Sequence, residues 1–133
     1  MIEPGQIATL THTVAAADLA SAHAHAAGER YPDVLSTPAL LALIERACAG
    51  LMHDALRDGQ LSVGVTTHLS HLAPTPPGMD VSATATFRGV EDALYWFDVV
   101  AADAGGTVGT ASHARAIVDR AAIEARATKR GAR

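Results

Sequence analysis

The sequence predicts an α+β fold in which one long helix covers one face of an antiparallel sheet. Three observations support this prediction. A strongly periodic apolar segment follows Thr37-Pro38, four β-like segments follow that helix, and one further strand precedes it. Because no other segment can cover the sheet, we expect the helix to lie against it.

Length and composition indicate one domain, residues 1–133. A chain of this length buries roughly two-thirds of its unfolded surface in a single core. Hydrophobic residues make up 49% and aromatic residues only 4%, so Ala, Val and Leu must fill that core. We find no signal-peptide pattern, no membrane-spanning run and no zinc-ligand spacing around the single Cys48. A cytoplasmic protein without a metal or membrane site is therefore expected.

The first half of the chain alternates between extended and helical patterns. The segment "GQIATLTHTV" predicts a strand, and the Ala-rich "AAADLASAHAHAAGERYPD" a weakly helical or irregular connection. Thr37 followed by Pro38 is typical of a helix start, with Thr37 as the N-cap and Pro38 at the first helical position. The periodic pattern predicts a helix to about residues 56–57, before Asp58-Gly59.

The second half reads as four strands, "LSVGVTTHLSHLA", "MDVSATATFRG", "ALYWFDVVAAD" and "GGTVGTASHARAIVD". Alternation is clearest in the second of them, at Val81, Ala83, Ala85 and Phe87. The tail "RAAIEARATKRGAR" predicts either a helical turn or a frayed end.

Glu45 is the most unusual residue of the predicted helix. At 100° per residue it falls in the apolar half of the helix, about 40° from Leu41. No Lys or Arg lies three or four positions away to pair with it. A carboxylate in such a place is costly unless it is protonated, paired across the fold or exposed in a cleft. Glu45 is therefore either a reactive group or a side chain that reaches water at the edge of the stripe.

Histidines mark two of the predicted strands. In a regular strand His71 shares a face with Val65, Thr67 and Leu69, and His68 points the other way. In the last strand, His113 and Arg115 share a face with the small residues Gly109 and Ala111. Small residues beside an arginine leave room for a ligand, but each of these features alone is common in structural roles.

The charge distribution is uneven. The net charge of −4 argues against a duplex nucleic-acid binder. Residues 113–133 nevertheless carry six Lys/Arg and two acids, or +4. This segment is either a solvated tail or a basic rim suited to a phosphorylated ligand.

The segments "VLSTPALLALIERACAGLM", "SVGVTTHLSHLAPTPPG" and "GTASHARAIVD" together resemble the fluoroacetyl-CoA thioesterase-like family of hot-dog-fold proteins. The resemblance spans roughly residues 31–119. It is carried by five residues in order with matching local spacing, Thr37, Glu45, Gly64, His71 and Arg115.

This resemblance implies a hot-dog fold, in which a curved antiparallel sheet wraps one long central helix, and a dimer that binds acyl-CoA at the subunit interface. It implies catalytic roles for Thr37, Glu45 and His71, with no cofactor apart from the CoA of the substrate. It also implies that the Gly64 backbone holds the thioester carbonyl and that Arg115 contacts CoA. Tyr31 is the only aromatic residue where the family has an aromatic lid, so Tyr31 is a substrate-binding candidate and fluoroacetyl selectivity is not implied.

Two routes of acyl-CoA hydrolysis fit these residues. Thr37 could attack the thioester with His71 as base and Glu45 orienting the imidazole, or Glu45 could activate water or attack directly. The Thr37 hydroxyl could instead serve only as a helix cap. Because eight helical residues rise about 12 Å, Thr37 and Glu45 of one helix cannot easily reach one reacting atom. We therefore expect a site that combines residues of both subunits.

The alternative function is a non-hydrolytic acyl-CoA-binding or regulatory hot-dog protein, since a fold does not dictate a function. The combination of an apolar-flanked carboxylate, a hydroxyl and an imidazole favours the enzyme. The sequence leaves open the acyl group, and it leaves open whether CoA or a carrier protein bears it.

Overall fold

A computed structural model describes residues 1–132. Its strands and helices are, in chain order, β1 (Ile7–Thr13), α1 (Thr37–Met52), β2 (Gln60–His71), β3 (Asp80–Glu91), β4 (Leu94–Asp103), β5 (Gly106–Asp119) and α2 (Arg120–Gly131). Short 3-10 turns at Ala16–Asp18 and Ala20–His23 form the connection that was predicted to be weakly helical. The order confirms the α+β class and every predicted strand.

The five strands form one antiparallel sheet in the order β1-β3-β4-β5-β2. Strands β1 and β2 are therefore its two edges. The helix α1 lies between them in sequence and packs on the inward face of the sheet. Because β2 pairs only with β5, its other edge has no neighbouring strand within residues 1–132.

The core consists of one face of α1 and the inward residues of β3, β4 and β5. The helix contributes Leu40, Leu43, Ile44, Ala47, Cys48 and Met52. The sheet contributes Val81, Ala83, Ala85, Phe87, Phe97, Val99, Ala101 and Val108. As predicted from the low aromatic content, alanines and aliphatic residues fill most of this core. Small sheet residues let the helix approach closely: a Cβ added at Gly109 would lie 3.1 Å from Leu40 Cδ2.

Both ends of α1 differ from the prediction. The N-cap is Ser36, whose Oγ accepts a hydrogen bond of 3.1 Å from the Ala39 N–H, so the assignment of Thr37 as N-cap was wrong by one residue. Thr37 is already helical, and its hydroxyl has another partner. The α-helix ends at Met52 rather than near 56–57, and a 3-10 turn at His53–Ala55 takes up the remaining predicted residues.

A β-bulge interrupts β2. Gly64 pairs with Arg115 and Thr66 pairs with Ala114, so Val65 has no partner on β5 and is 53% exposed. The expectation that Val65 shares a face with His71 was therefore wrong, although Thr67, Leu69 and His71 do share one. The extra residue shifts the alternation, so that Gly64 faces the helix together with Thr67.

The C-terminal tail forms the helix α2 rather than a single turn or a frayed end. Asp119 caps it by accepting a hydrogen bond of 2.9 Å from the Ala122 N–H. No residue of α2 is buried. Within residues 1–132, neither helix has the length and apolar character required to cross a membrane.

Candidate active site

Thr37 and His71 form the first polar pair of the candidate site. Because Ser36 caps α1, the Thr37 hydroxyl is free to reach β2, where its Oγ1 lies 2.8 Å from His71 Nδ1. The other ring nitrogen, His71 Nε2, is buried and has no hydrogen-bond partner among residues 1–132.

Glu45 lies two turns further along α1 and packs directly on β2. A Cβ added at Gly64 would collide with Glu45 Oε1 and lie 3.2 Å from His113 Cε1. Glycine is thus the residue that leaves room for the carboxylate. Glu45 is half-buried, and it forms no salt bridge with any residue that the structure describes.

A cavity of about 420 Å³ opens beside the carboxylate. Its walls come from one side of α1 and from the ends of β2 and β5, namely Ala42, Glu45, Arg46, Ala49, Ser62, Val63, Gly64 and Arg115. Glu45 thus faces a cleft rather than the sealed core. This resolves the question that its position in the apolar stripe raised.

Arg115 is nearly buried, at 7% exposure, and is held by three hydrogen bonds. Its Nε and Nη2 donate to Ser62, to Oγ at 2.9 Å and to the carbonyl oxygen at 3.0 Å. Its Nη1 donates to His113 Nε2 at 3.0 Å. Burial lowers the pKa of Arg115 from its usual value, and the nearby Glu45 carboxylate opposes that change. Since Arg115 also lines the cavity, it brings positive charge to the same space as Glu45.

Tyr31 lies in a different place. It is 48% exposed and lines a second cavity of about 280 Å³ next to Thr37. The remaining wall residues are Ala20, His23, Ser36 and Pro38. Ala20, Pro38 and the Tyr31 ring form its apolar surface, and His23, Ser36 and Thr37 contribute polar groups.

Within one chain, the six predicted residues therefore form two groups. Tyr31, Thr37 and His71 are near the start of α1, and the second group, Glu45, Gly64 and Arg115, is two helical turns away. From Thr37 to Glu45 the helix rises about 12 Å, and β2 runs alongside it from Gly64 to His71.

Sequence reasoning missed several contributors to these groups. Ser62 and Thr67 were not singled out, although they hold Arg115 and His113 in place. The β2 bulge at Val65 was also missed, although Gly64 was an available signal for it, because an isolated strand glycine often marks a bulge. His113 was noted beside Arg115, but its role was left open.

Comparison with known proteins decides the family. The model of the FlK family, described as fluoroacetyl-CoA-specific thioesterase, matches residues 14–121. The chain belongs to the FlK family. One curated relative, the fluoroacetyl-CoA thioesterase of Streptantibioticus cattleyicolor, is 35% identical over 88 residues, which span 66% of this chain and 63% of that relative. The match thus covers slightly under two-thirds of the relative's length.

Solved structures agree with this assignment to the FlK family. A structure of the fluoroacetyl-CoA thioesterase FlK has a TM-score of 0.89 at 27% identity and covers 97% of each chain. A hot-dog-like protein from Thermanaerovibrio acidaminovorans has a TM-score of 0.86 at 26% identity, covering 99% of this chain and 95% of that one. The hot-dog fold and the family predicted from the sequence are thereby confirmed.

Proposed function

We propose that this protein hydrolyses a small acyl-CoA thioester to the free acid and CoA. The observation that carries the proposal is the half-buried Glu45 carboxylate, which packs on Gly64 and faces a cavity shared with Arg115. A carboxylate without an ion-pair partner, next to a fixed cation in a cleft, is suited to general-base chemistry or to attack on a polarised carbonyl. The hydrogen-bonded Thr37–His71 pair adds a second reactive centre.

In the reaction an oxygen nucleophile attacks the thioester carbonyl carbon, the C–S bond breaks and the CoA sulfur takes up a proton. In one route Thr37 is the nucleophile, His71 Nδ1 accepts its proton, and water then hydrolyses the acyl-threonine. In the other route Glu45 takes a proton from water, and Thr37 and His71 position the substrate. The first route gains support from the structure, because the Thr37 hydroxyl does not cap the helix and contacts an imidazole. Neither route uses a cofactor besides the CoA of the substrate.

The Gly64 N–H and Arg115 are the candidates to stabilise the developing oxyanion. Glycine lets a substrate approach the backbone closely, and a preorganised donor is worth most where charge develops. Arg115 has five N–H groups, of which three are used among residues 1–132, so two can serve a ligand in the cavity that Arg115 lines. Because Arg115 is buried, it suits the thioester carbonyl or the pantetheine arm better than an exposed phosphate. The exposed basic residues of α2 suit the CoA phosphates.

The functional unit in this proposal is a homodimer in which each site takes residues from both subunits. Strand β2 is an edge strand and carries Gly64 and His71, one from each of the two groups. Antiparallel pairing of two β2 edges around a two-fold axis at His68 places Thr67 opposite Leu69 of the second copy, with both facing inward. The same register places His71 opposite the Gly64–Val65 bulge of the second copy. Gly64 of one copy and His71 of the other then lie on the same face of the joined sheet, because the bulge turns Gly64 inward.

The register makes a direct test possible. His68→Cys would place two cysteines opposite each other across the axis, where Cβ atoms of paired residues lie about 4.5–5.5 Å apart. We expect this variant to form an interchain disulfide on mild oxidation. Ser70→Cys, on the same outward face, is the matched control and should cross-link poorly. Equal cross-linking of both variants contradicts the register.

Thiol release from a panel of acyl-CoA substrates tests the activity itself. We expect turnover by the wild type and loss of about 10²–10⁴-fold in Glu45→Gln and His71→Ala. Binding of acyl-CoA without release of thiol would instead make the protein a non-hydrolytic acyl-CoA binder. Mass spectrometry during turnover separates the two routes, because only the first produces an acyl adduct on Thr37.

Mixed dimers test whether a site is shared between subunits. If it is, a dimer of one Glu45→Gln and one His71→Ala protomer contains one intact site, built from Thr37 and His71 of the first and Glu45 of the second. Co-refolding the two inactive variants should then restore activity. If each site lies within one chain, the mixture stays inactive.

We propose a cytoplasmic location, which the single, buried and unpaired Cys48 supports, since free thiols are typical of reducing compartments. The net charge of −4 supports a small-molecule rather than a nucleic-acid partner.

A further inference from the structure

The His113 ring is a fully buried titratable group beside the cavity, and the proposed chemistry does not use it. The residue is fully buried, at 0% exposure. Its Nδ1 lies 2.6 Å from Thr67 Oγ1, and its Nε2 lies 3.0 Å from Arg115 Nη1. Both ring nitrogens therefore have a partner, and the two partners lie on different strands.

The partners determine where the ring proton is. A guanidinium has only donors, so His113 Nε2 must present a lone pair to Arg115. A neutral imidazole with a lone pair on Nε2 carries its proton on Nδ1, which then donates to Thr67 Oγ1. A protonated ring would place two positive groups at 3.0 Å and break the contact with Arg115.

We propose that His113, locked in the neutral Nδ1–H tautomer, is a positioning residue that fixes the Arg115 guanidinium toward the Glu45 cavity. Ser62 holds one side of the guanidinium and His113 the other. Together they determine the plane of the guanidinium and the direction of its two remaining N–H groups. The role in catalysis rests on the proposed function, whereas the tautomer does not.

The surroundings of the ring agree with a neutral imidazole. Its charged neighbours are Arg115 on the same strand and Glu45 on α1, and the positions paired with it on β2 and β4 are Thr67 and Phe97, which are uncharged. Burial and then the Arg115 charge lower the pKa of His113, and the Glu45 charge and the Thr66 backbone oppose them only partly.

The tautomer has a direct spectroscopic test. In ¹⁵N-labelled wild-type protein between pH 6 and 8, we expect Nδ1 of His113 to be protonated and Nε2 to be unprotonated. An Nε2–H tautomer, or a charged ring in this range, overturns the proposal. This measurement does not depend on any acyl-CoA being a substrate, so an inactive wild type would refute the proposed function and leave the tautomer tested.

Two substitutions test the positioning role. His113→Leu removes the acceptor for Arg115, and His113→Gln keeps an oxygen near the position of Nε2. We expect kcat to fall roughly tenfold in His113→Leu, the effect of one lost hydrogen bond to a charged group, with KM little changed. His113→Gln should recover kcat to within about threefold of the wild type. Equal losses of kcat in both variants, in step with their loss of thermal stability, would show a purely structural role and overturn the proposal.

Discussion

Gly64→Ala is the substitution that most directly tests how the carboxylate is placed. The added Cβ would collide with Glu45 Oε1, at the flexible end of a side chain rather than on backbone. The carboxylate must retreat by about 1 Å to reach an ordinary carbon–oxygen contact. A misplacement of that size costs about 10²-fold in rate. We therefore expect kcat/KM to fall by about 10²-fold.

The same substitution should leave the fold almost unchanged. Gly64 does not have the positive φ that favours glycine, and alanine is favoured over glycine within a strand by roughly 0.5–1 kcal/mol. That gain offsets part of the cost of moving Glu45, so we expect the free energy of unfolding to change by less than about 1 kcal/mol. Loss of activity without loss of stability is the distinguishing result.

Two other glycines provide matched controls. A Cβ at Gly109 would meet Ser70 O at 3.0 Å and Leu40 Cδ2 at 3.1 Å, so Gly109→Ala should destabilise the protein by about 1–3 kcal/mol through overpacking. A Cβ at Gly50 meets nothing within 4 Å on the exposed face of α1, so Gly50→Ala should stabilise it by about 1 kcal/mol with unchanged activity.

The assay pairs thiol release, on the acyl-CoA that the wild type cleaves fastest, with denaturant unfolding of all three variants. If Gly64→Ala keeps the kcat/KM of the wild type, the Glu45–Gly64 contact does not position the reactive carboxylate. If it loses as much stability as Gly109→Ala, the contact is structural.

Three further predictions concern stability and reactivity. Leu40→Ala should destabilise the protein by about 2–5 kcal/mol in denaturant unfolding, because Leu40 is fully buried between α1 and β5; a change under 1 kcal/mol would contradict this packing. Asp18→Asn should lower the free energy of unfolding by about 1 kcal/mol at pH 7, because the Asp18 carboxylate accepts hydrogen bonds from Ala15 N–H and His12. The hydrogen bond from Ala15 N–H, with the smaller contribution of His12, lowers the pKa of Asp18 below 3.8, and burial opposes this change. The stability difference between the wild type and Asp18→Asn should therefore be complete above pH 3.8 and vanish as the pH falls through the lowered pKa. A stability difference that persists in strong acid would refute this prediction. Cys48, fully buried and with its pKa raised to about 12 by burial, should resist maleimide in the native protein and react once the protein is unfolded.

The sequence alone was sufficient to predict the long helix and the five strands, but not the side-chain contacts between them. The helical period identified α1, and β-like composition identified the strands, with clear alternation at Val81, Ala83, Ala85 and Phe87, all of which are buried. The start of α1 was misassigned by one residue, since Ser36 and Thr37 are both good caps and local propensity cannot choose between them. The choice depends on His71, which lies 34 positions from Thr37 and takes its hydroxyl.

The bulge in β2 marks the limit of pattern reading. Alternation assumes regular pairing, and under that assumption Gly64 and His71 lie on opposite faces. One unpaired residue, Val65, reverses the outcome for everything before it in the strand. The glycine indicated an irregularity, but only the pairing of β2 with β5 shows its direction.

That single inserted residue links the stability of the fold to the placement of its polar groups. The apolar stripe of α1 fixes how the helix lies on the sheet, and this sets the depth at which Glu45 meets β2. Without the bulge, Gly64 would face away from α1. With the bulge, its backbone faces Glu45 and no side chain lies between them. The carboxylate can therefore stay half-buried without a direct salt bridge among the described residues, because Gly64 leaves it space, the cavity leaves it access to water, and Arg115 lines the same cavity. The cost of placing a charge in the apolar stripe is limited by a change in the strand, not in the helix that carries it.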